Sequence, residues 1–208
     1  VFAVVWAAAY AVVNPPLTLL MVLEWRRLGA IEREWRPLEA ISPNLVRAAI
    51  AAEDANFCTH RGFDFDAIRQ ALDERQRGRF RGASTISQQT AKNAFLWPQS
   101  DWARKGLEAG FTVLIETFWG KRRIMEVYLN VAEFGPGVFG AQAAARRWFG
   151  RDADALTAAQ AARLAAILPS PRVRDPANPG PFVQRRARAI AGGAETIRAE
   201  RRDSCVLG

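Results

Sequence analysis

Apolar residues along this chain recur at helical spacing, and no good run of alternating apolar and polar residues marks a strand. Residues 1–23 carry no charge, Glu24 being the first, and Asn14-Pro15-Pro16 divides that stretch. Upstream of the break Val1–Val13 is continuously apolar. Its length of about 20 Å as a helix falls short of the roughly 20 residues a bilayer core requires. Because the chain starts at Val1 rather than Met, the stretch is expected to be the outer part of a transmembrane helix whose beginning is missing. The h-region of a secretory signal, with small-residue sites such as Ala9-x-Ala11, and a buried core helix are the alternatives.

Downstream of the prolines, Leu17–Leu28 carries Leu19, Leu20, Leu23 and Trp25 into Trp25-Arg26-Arg27. That pattern suits a helix lying on a membrane surface, with arginines reaching lipid phosphates, or equally an amphipathic helix packed on the domain. Ser42-Pro43 predicts a helix start, with Ser as cap and Pro in the first turn, and the helix runs to Glu53-Asp54. Further helices are predicted over Phe65–Gln76, Thr85–Phe95, Trp102–Trp119, Arg122–Val131 and Gly140–Phe149. Gly78–Gly82 is expected to be a flexible basic loop. Thr157-x-x-Gln160 is a capping-box pattern whose helix Pro169 stops, five prolines extend residues 169–181, and an Arg-rich helix, Phe182–Arg202, closes the chain. The fold class is all-α, with an anchor at 1–13, a membrane-associated linker and helix at 14–39, and one globular domain at 40–208.

Composition narrows the partners. Half of the 208 residues are apolar, enough for a sizeable core. The net charge is +8, and of 29 cationic residues only Lys92, Lys105 and Lys121 are lysines, which favours an anionic partner. The single histidine, His60, excludes a two-His metal site, and two cysteines, Cys58 and Cys205, exclude a Cys-rich one and leave their own pairing open. P-loop and penicillin-binding transpeptidase motifs are absent, and no nucleic-acid motif accompanies the basic C-terminal helix.

Four constellations could carry chemistry. Glu53-Asp54 closes a helix, where the negative end of the helix dipole raises a carboxylate's proton affinity, as a general base requires; Phe57, Phe63 and Phe65 are expected to supply an apolar wall. The bland alternative is a solvated pair at a frayed helix end. From Gly82 to Asn93, Thr85, Gln88, Gln89 and Lys92 fall at i, i+3, i+4 and i+7, a polar stripe ending in a cation, with Ser84 at the helix start; the alternative is a solvated face. Arg104 and Lys105 meet Glu108 at i+4 and i+3, either as an ordinary surface salt bridge or as a cationic clamp held by a carboxylate. In Lys121–Asn130 most residues form a core stripe, while Glu126 and Asn130 are placed to organise the site from behind.

In this order and spacing the four, followed by Leu168-Pro169-Ser170-Pro171, resemble the motifs of the peptidoglycan glycosyltransferases of family 51, and most closely the monofunctional membrane-anchored ones. The resemblance spans about residues 40–180 and departs at Ala83, where a second glycine is common. It implies a lysozyme-like all-α fold with a membrane-associated lobe. It implies lipid II as substrate, an inverting reaction that makes β-1,4 glycan and releases undecaprenyl pyrophosphate, and a domain on the outer, periplasmic face of the inner membrane. Carried over by position, Glu53 is the general base and Glu108 the second catalytic carboxylate. Lys92, Arg104 and Lys105 surround the pyrophosphate, and Ser84, Thr85, Gln88, Gln89 and Asn93 bind substrate. A divalent ion, Mg or Mn, is compatible with this chemistry, and whether one is required stays open. Membrane lipids, the growing glycan strand and other cell-wall synthesis or division proteins are the implied partners, and nucleic acid is not. A lysozyme-like lytic enzyme and a non-enzymatic basic membrane scaffold are the rival readings.

Overall fold

The structure is a computed structural model that describes residues 1–78, 82–99 and 101–208. The basic loop expected at Gly78–Gly82 therefore lies largely outside the described residues. The helices are α1 (Phe2–Tyr10), α2 (Leu19–Leu28), α3 (Pro43–Glu53), α4 (Phe65–Gln76), α5 (Ile86–Phe95), α6 (Trp102–Phe118), α7 (Lys121–Val131), α8 (Ala141–Phe149), α9 (Ala158–Ile167), α10 (Pro181–Ala199) and α11 (Ser204–Leu207). Their starts follow local chemistry. Thr85 and Thr157 each form a reciprocal capping box with the glutamine three residues on, and Ser42, Asp64 and Asp101 accept hydrogen bonds from first-turn amides.

Helices dominate as predicted, but the fold also contains a small sheet. β1 (Glu32–Arg33) runs parallel to β3 (Val138–Phe139), which pairs antiparallel with β2 (Glu133–Gly135), in the order β1-β3-β2. Strands of two or three residues are too short to show an alternating pattern, so periodicity does not find them.

Two groups of helices flank the region between Glu53 and the α5 start. On one side α3, α9 and α10 pack together through small and aliphatic side chains such as Ala49, Ala162, Ala165 and Ile190. On the other, α5 packs against both α6 and α7. Helix α1 has nine residues, and among the described residues no helix is long and apolar enough to cross a membrane. One side of α1 docks on α6. Ala7 is fully buried, the Trp6 ring meets Phe95 and Phe111 edge-on, and the Trp119 indole donates to the Ala7 carbonyl at 2.8 Å. Its other side leaves Phe2 and Val5 exposed. Of the two arginines expected to reach lipid, Arg27 is bound to the buried Glu24 on its own helix, and Arg172 pairs with Glu24 as well.

Candidate active site

Glu53 is the last residue of α3, and its side chain enters a cleft of about 540 Å³. That volume lies within the usual range for small-ligand sites, about 300–1,000 Å³. The cleft is lined by the end of α3, by Ala67 and Gln70 of α4, by Gly82–Thr85, by Gln89 of α5, and by Pro169 and Arg186. Gln89 donates to one Glu53 oxygen at 2.9 Å and Arg186 to the other at 3.3 Å. Burial raises the proton affinity of Glu53 above the ordinary glutamate value, the Gln89 hydrogen bond and the charges of Arg186 and Lys92 oppose the rise, and Asp54 adds to it. The apolar wall is not the one expected. Phe57 is fully buried beneath the Lys121 ammonium, Phe65 is exposed, and the cleft's apolar lining comes from Ala51, Ala52, Ala55, Ala67, Ala83 and Pro169.

Lys92 is electrostatically coupled both to Glu53 and to the second cluster. Burial lowers its proton affinity, Glu108 and Glu53 raise it, and Arg104 and Lys105 lower it, so its ammonium lies within electrostatic reach of all four. Arg104 donates to Glu108 at 2.8 Å and Lys105 takes the other oxygen of the same carboxylate. Arg104 and Glu108 are both buried, whereas Lys105 is half exposed. The surface-bridge alternative is thus excluded: a buried carboxylate holds two cations beside a third. Lys92 and Asn93 line a small hollow of about 80 Å³ with Leu20, Leu96, Trp97 and Pro98, which shares no lining residue with the main cleft.

Several of the expected residues also make contacts within the fold. Gln88 does not join the polar stripe: its side chain is buried and accepts from the Thr85 amide at 3.0 Å, completing the helix cap. Thr85 donates its hydroxyl to the Gly62 carbonyl at 2.7 Å, so it ties the α5 start to the loop after α3, while Ser84 stays exposed at the cleft. Asn130 bonds both backbone groups of Arg36, and Glu126 accepts from the Leu38 amide, so the two fasten α7 to residues 36–38 rather than backing the site.

Three features escaped the sequence reading. Arg186 was one arginine among many in an Arg-rich helix, with no spacing to single it out. Asp54 accepts from His60 Nε2 at 2.8 Å and from the Ile86 amide at 2.9 Å, and His60 Nδ1 accepts from the Gly62 amide, which places the imidazole proton on Nε2. Cys58 and Cys205 form a disulfide with Cα atoms 5.5 Å apart. Among the described residues no group of three or more His, Cys, Asp or Glu side chains could hold a metal ion, and Glu53 and Glu108 are both engaged by cations. The side chains therefore do not fit a protein cage for Mg or Mn.

A cleft carboxylate at a helix end, electrostatically coupled through one lysine to a carboxylate-held cation pair, is the site these elements define, and the chain belongs to the Transglycosylase family, whose model matches residues 22–194. The five-motif resemblance is borne out. The chain is 57% identical over 201 residues to the biosynthetic peptidoglycan transglycosylase of Jannaschia sp. (strain CCS1), covering 97% of this chain and 83% of that protein. Proteins of the same name from Caulobacter vibrioides and Pseudomonas aeruginosa are 53% and 54% identical, over 98% and 88% of this chain and 89% and 82% of their own lengths.

Proposed function

We propose that the cleft is the polymerisation site of a peptidoglycan glycosyltransferase, joining lipid II units into β-1,4 glycan with release of undecaprenyl pyrophosphate. The reading rests on Glu53 in the cleft, held by Gln89 and Arg186, and on the buried Arg104–Glu108 pair with Lys105, with Lys92 electrostatically coupled to both. The two halves of the reaction need those two environments. The nucleophile is a neutral sugar hydroxyl, so a base must take its proton as it attacks, and Glu53, with its raised proton affinity, accepts that proton. The leaving pyrophosphate gathers negative charge as the glycosidic carbon inverts, and Lys92, Arg104 and Lys105 offset it. Glu108 holds the arginine and Lys105 in place, so little reorganisation is needed as the charge develops. Ser84 and Gln89, at the cleft, offer hydrogen bonds to sugar hydroxyls, and Gln89 also orients Glu53. No step is routed through a metal.

Two further observations support a location at the outer face of the inner membrane. A disulfide persists in an oxidising compartment. Large apolar side chains also remain exposed on helices α1, α2 and α6: Phe2, Leu19, Trp25 and Trp102 among them. A lipid surface covers such groups and keeps the enzyme beside a substrate whose tail stays in the bilayer.

Glu53→Gln keeps the size and packing of the side chain and removes the base. Its rate of glycan synthesis from purified lipid II is expected to fall by about 10²–10⁴-fold. Near-native synthesis by a folded variant would remove Glu53 from this role. The lytic reading uses a raised carboxyl as an acid and has no use for three cations beside it. Incubation with finished peptidoglycan separates the two, because strand shortening would favour lysis over polymer growth.

A further inference from the structure

The loop between α3 and α4 is gripped from two sides. Asp54, His60 and Gly62 fasten it to the start of α5. The second grip comes from the C-terminal segment, which lies outside the matched family region and outside every motif. Cys205 of α11 is covalently joined to Cys58, 147 residues away. Beside that bond Arg202 donates to Asn56 Oδ1 at 2.7 Å, and Asn56 Nδ2 donates to Asp64 Oδ2 at 2.9 Å. The other Asp64 oxygen accepts from the Ala67 amide at 2.8 Å and caps α4. The direction of the relay is set chemically: arginine can only donate and an ionised aspartate can only accept, so Asn56 is held in one orientation between them. The tail is itself secured, by Arg47 to the buried Asp203 at 2.7 Å and by Arg122 to the Val206 carbonyl at 2.7 Å.

Helix α4 depends on that relay because packing does little to place it. None of its twelve residues is buried, yet Ala67 and Gln70 form part of the cleft wall. We infer that residues 200–208 act as a clasp that positions α4, and through it the cleft wall, with Arg202 as the positioning residue and the Cys58–Cys205 bond keeping it within reach of Asn56. The inference rests on the cleft being the polymerisation site proposed above.

The test uses the full chain with Arg202→Ala and Arg202→Lys, both of which leave the disulfide intact. Hydrogen exchange of the backbone amides is read helix by helix, and kcat and KM are measured with lipid II. In Arg202→Ala the α4 amides are expected to exchange about tenfold faster, the loss of one charge-assisted hydrogen bond, while α3 and α9 keep their rates. KM for lipid II rises several-fold with kcat within about twofold, the pattern of lost uniform binding, and Arg202→Lys restores most of both. Unchanged α4 exchange overturns the clasp, and so does acceleration shared equally by α3 and α9, which marks a role in overall stability alone. Exchange needs no substrate, so failure of the wild-type protein to polymerise lipid II would sink the proposed function while leaving the clasp to be judged on α4.

Discussion

Burial and its neighbours pull Glu53 in opposite directions, and the balance leaves its proton affinity above the ordinary glutamate value of 4.5. The acid limb of kcat/KM against pH reports this group losing its proton, and is expected to lie above that value. Arg186 favours the ionised form, so Arg186→Ala is expected to move the limb to higher pH; a limb that stays put would mean that another group sets it. The same shift has a consequence for stability. A carboxyl whose proton affinity is higher in the folded than in the unfolded state stabilises the fold below its unfolded pKa, and that contribution is lost as pH rises through the folded one. At neutral pH the ionised Glu53 is thus a net cost. Glu53→Gln is expected to melt at a higher temperature than wild type at pH 7, with the gain shrinking towards pH 4. A difference that is independent of pH would contradict the linkage. Glu53 itself could be read from its motif, since its place at a helix end is local. Its partner Arg186 lies 133 residues away, and no local rule selects it from 26 arginines.

Helix starts were legible because their signals are short-range. Thr85-x-x-Gln88 and Thr157-x-x-Gln160 close hydrogen bonds within one turn, and both boxes form. The same rule shows why Gln88 left the polar stripe: a glutamine three residues after a threonine has a backbone amide to satisfy before it has a ligand. The turn at Gly62 belongs to this scale too. Its φ is +90°, and a Cβ there would sit 2.8 Å from Thr112 Cγ2 on α6. Gly62→Ala is expected to destabilise the protein by roughly 1–3 kcal/mol, combining left-handed backbone strain with a clash against a helix that cannot easily retreat. Denaturant unfolding measures it, and a loss within about 0.5 kcal/mol, the span of ordinary surface changes, would show that the loop relaxes. The three strands lay beyond such reasoning, because each pairs with residues about a hundred positions away or presents too few residues for a pattern.

Over the whole molecule, the apolar N-terminal stretch was readable as membrane-related from its lack of charge, but its helix uses one side to dock on α6. Trp102 at 93% exposure and Trp25 at 54% extend the uncovered apolar surface onto α6 and α2. Replacing both by alanine removes two side chains that are each more than half exposed, and is expected to weaken binding to vesicles containing anionic lipid by roughly tenfold or more, since burying an aromatic side chain is worth about 1.5–3 kcal/mol. Unchanged partitioning in a sedimentation assay would place the membrane face elsewhere on the protein. The amino-acid sequence by itself determined the helical class, most helix starts, the family motifs and the cationic character, all of which depend on residue type within one or two turns. Tertiary structure alone decided that Arg186 meets Glu53, that Cys58 finds Cys205, that Glu108 buries its cations, and that Gln88 turns inward while Gln89 faces the cleft. Those outcomes depend on which distant surfaces pack together, and local patterning leaves that open until the core closes around them.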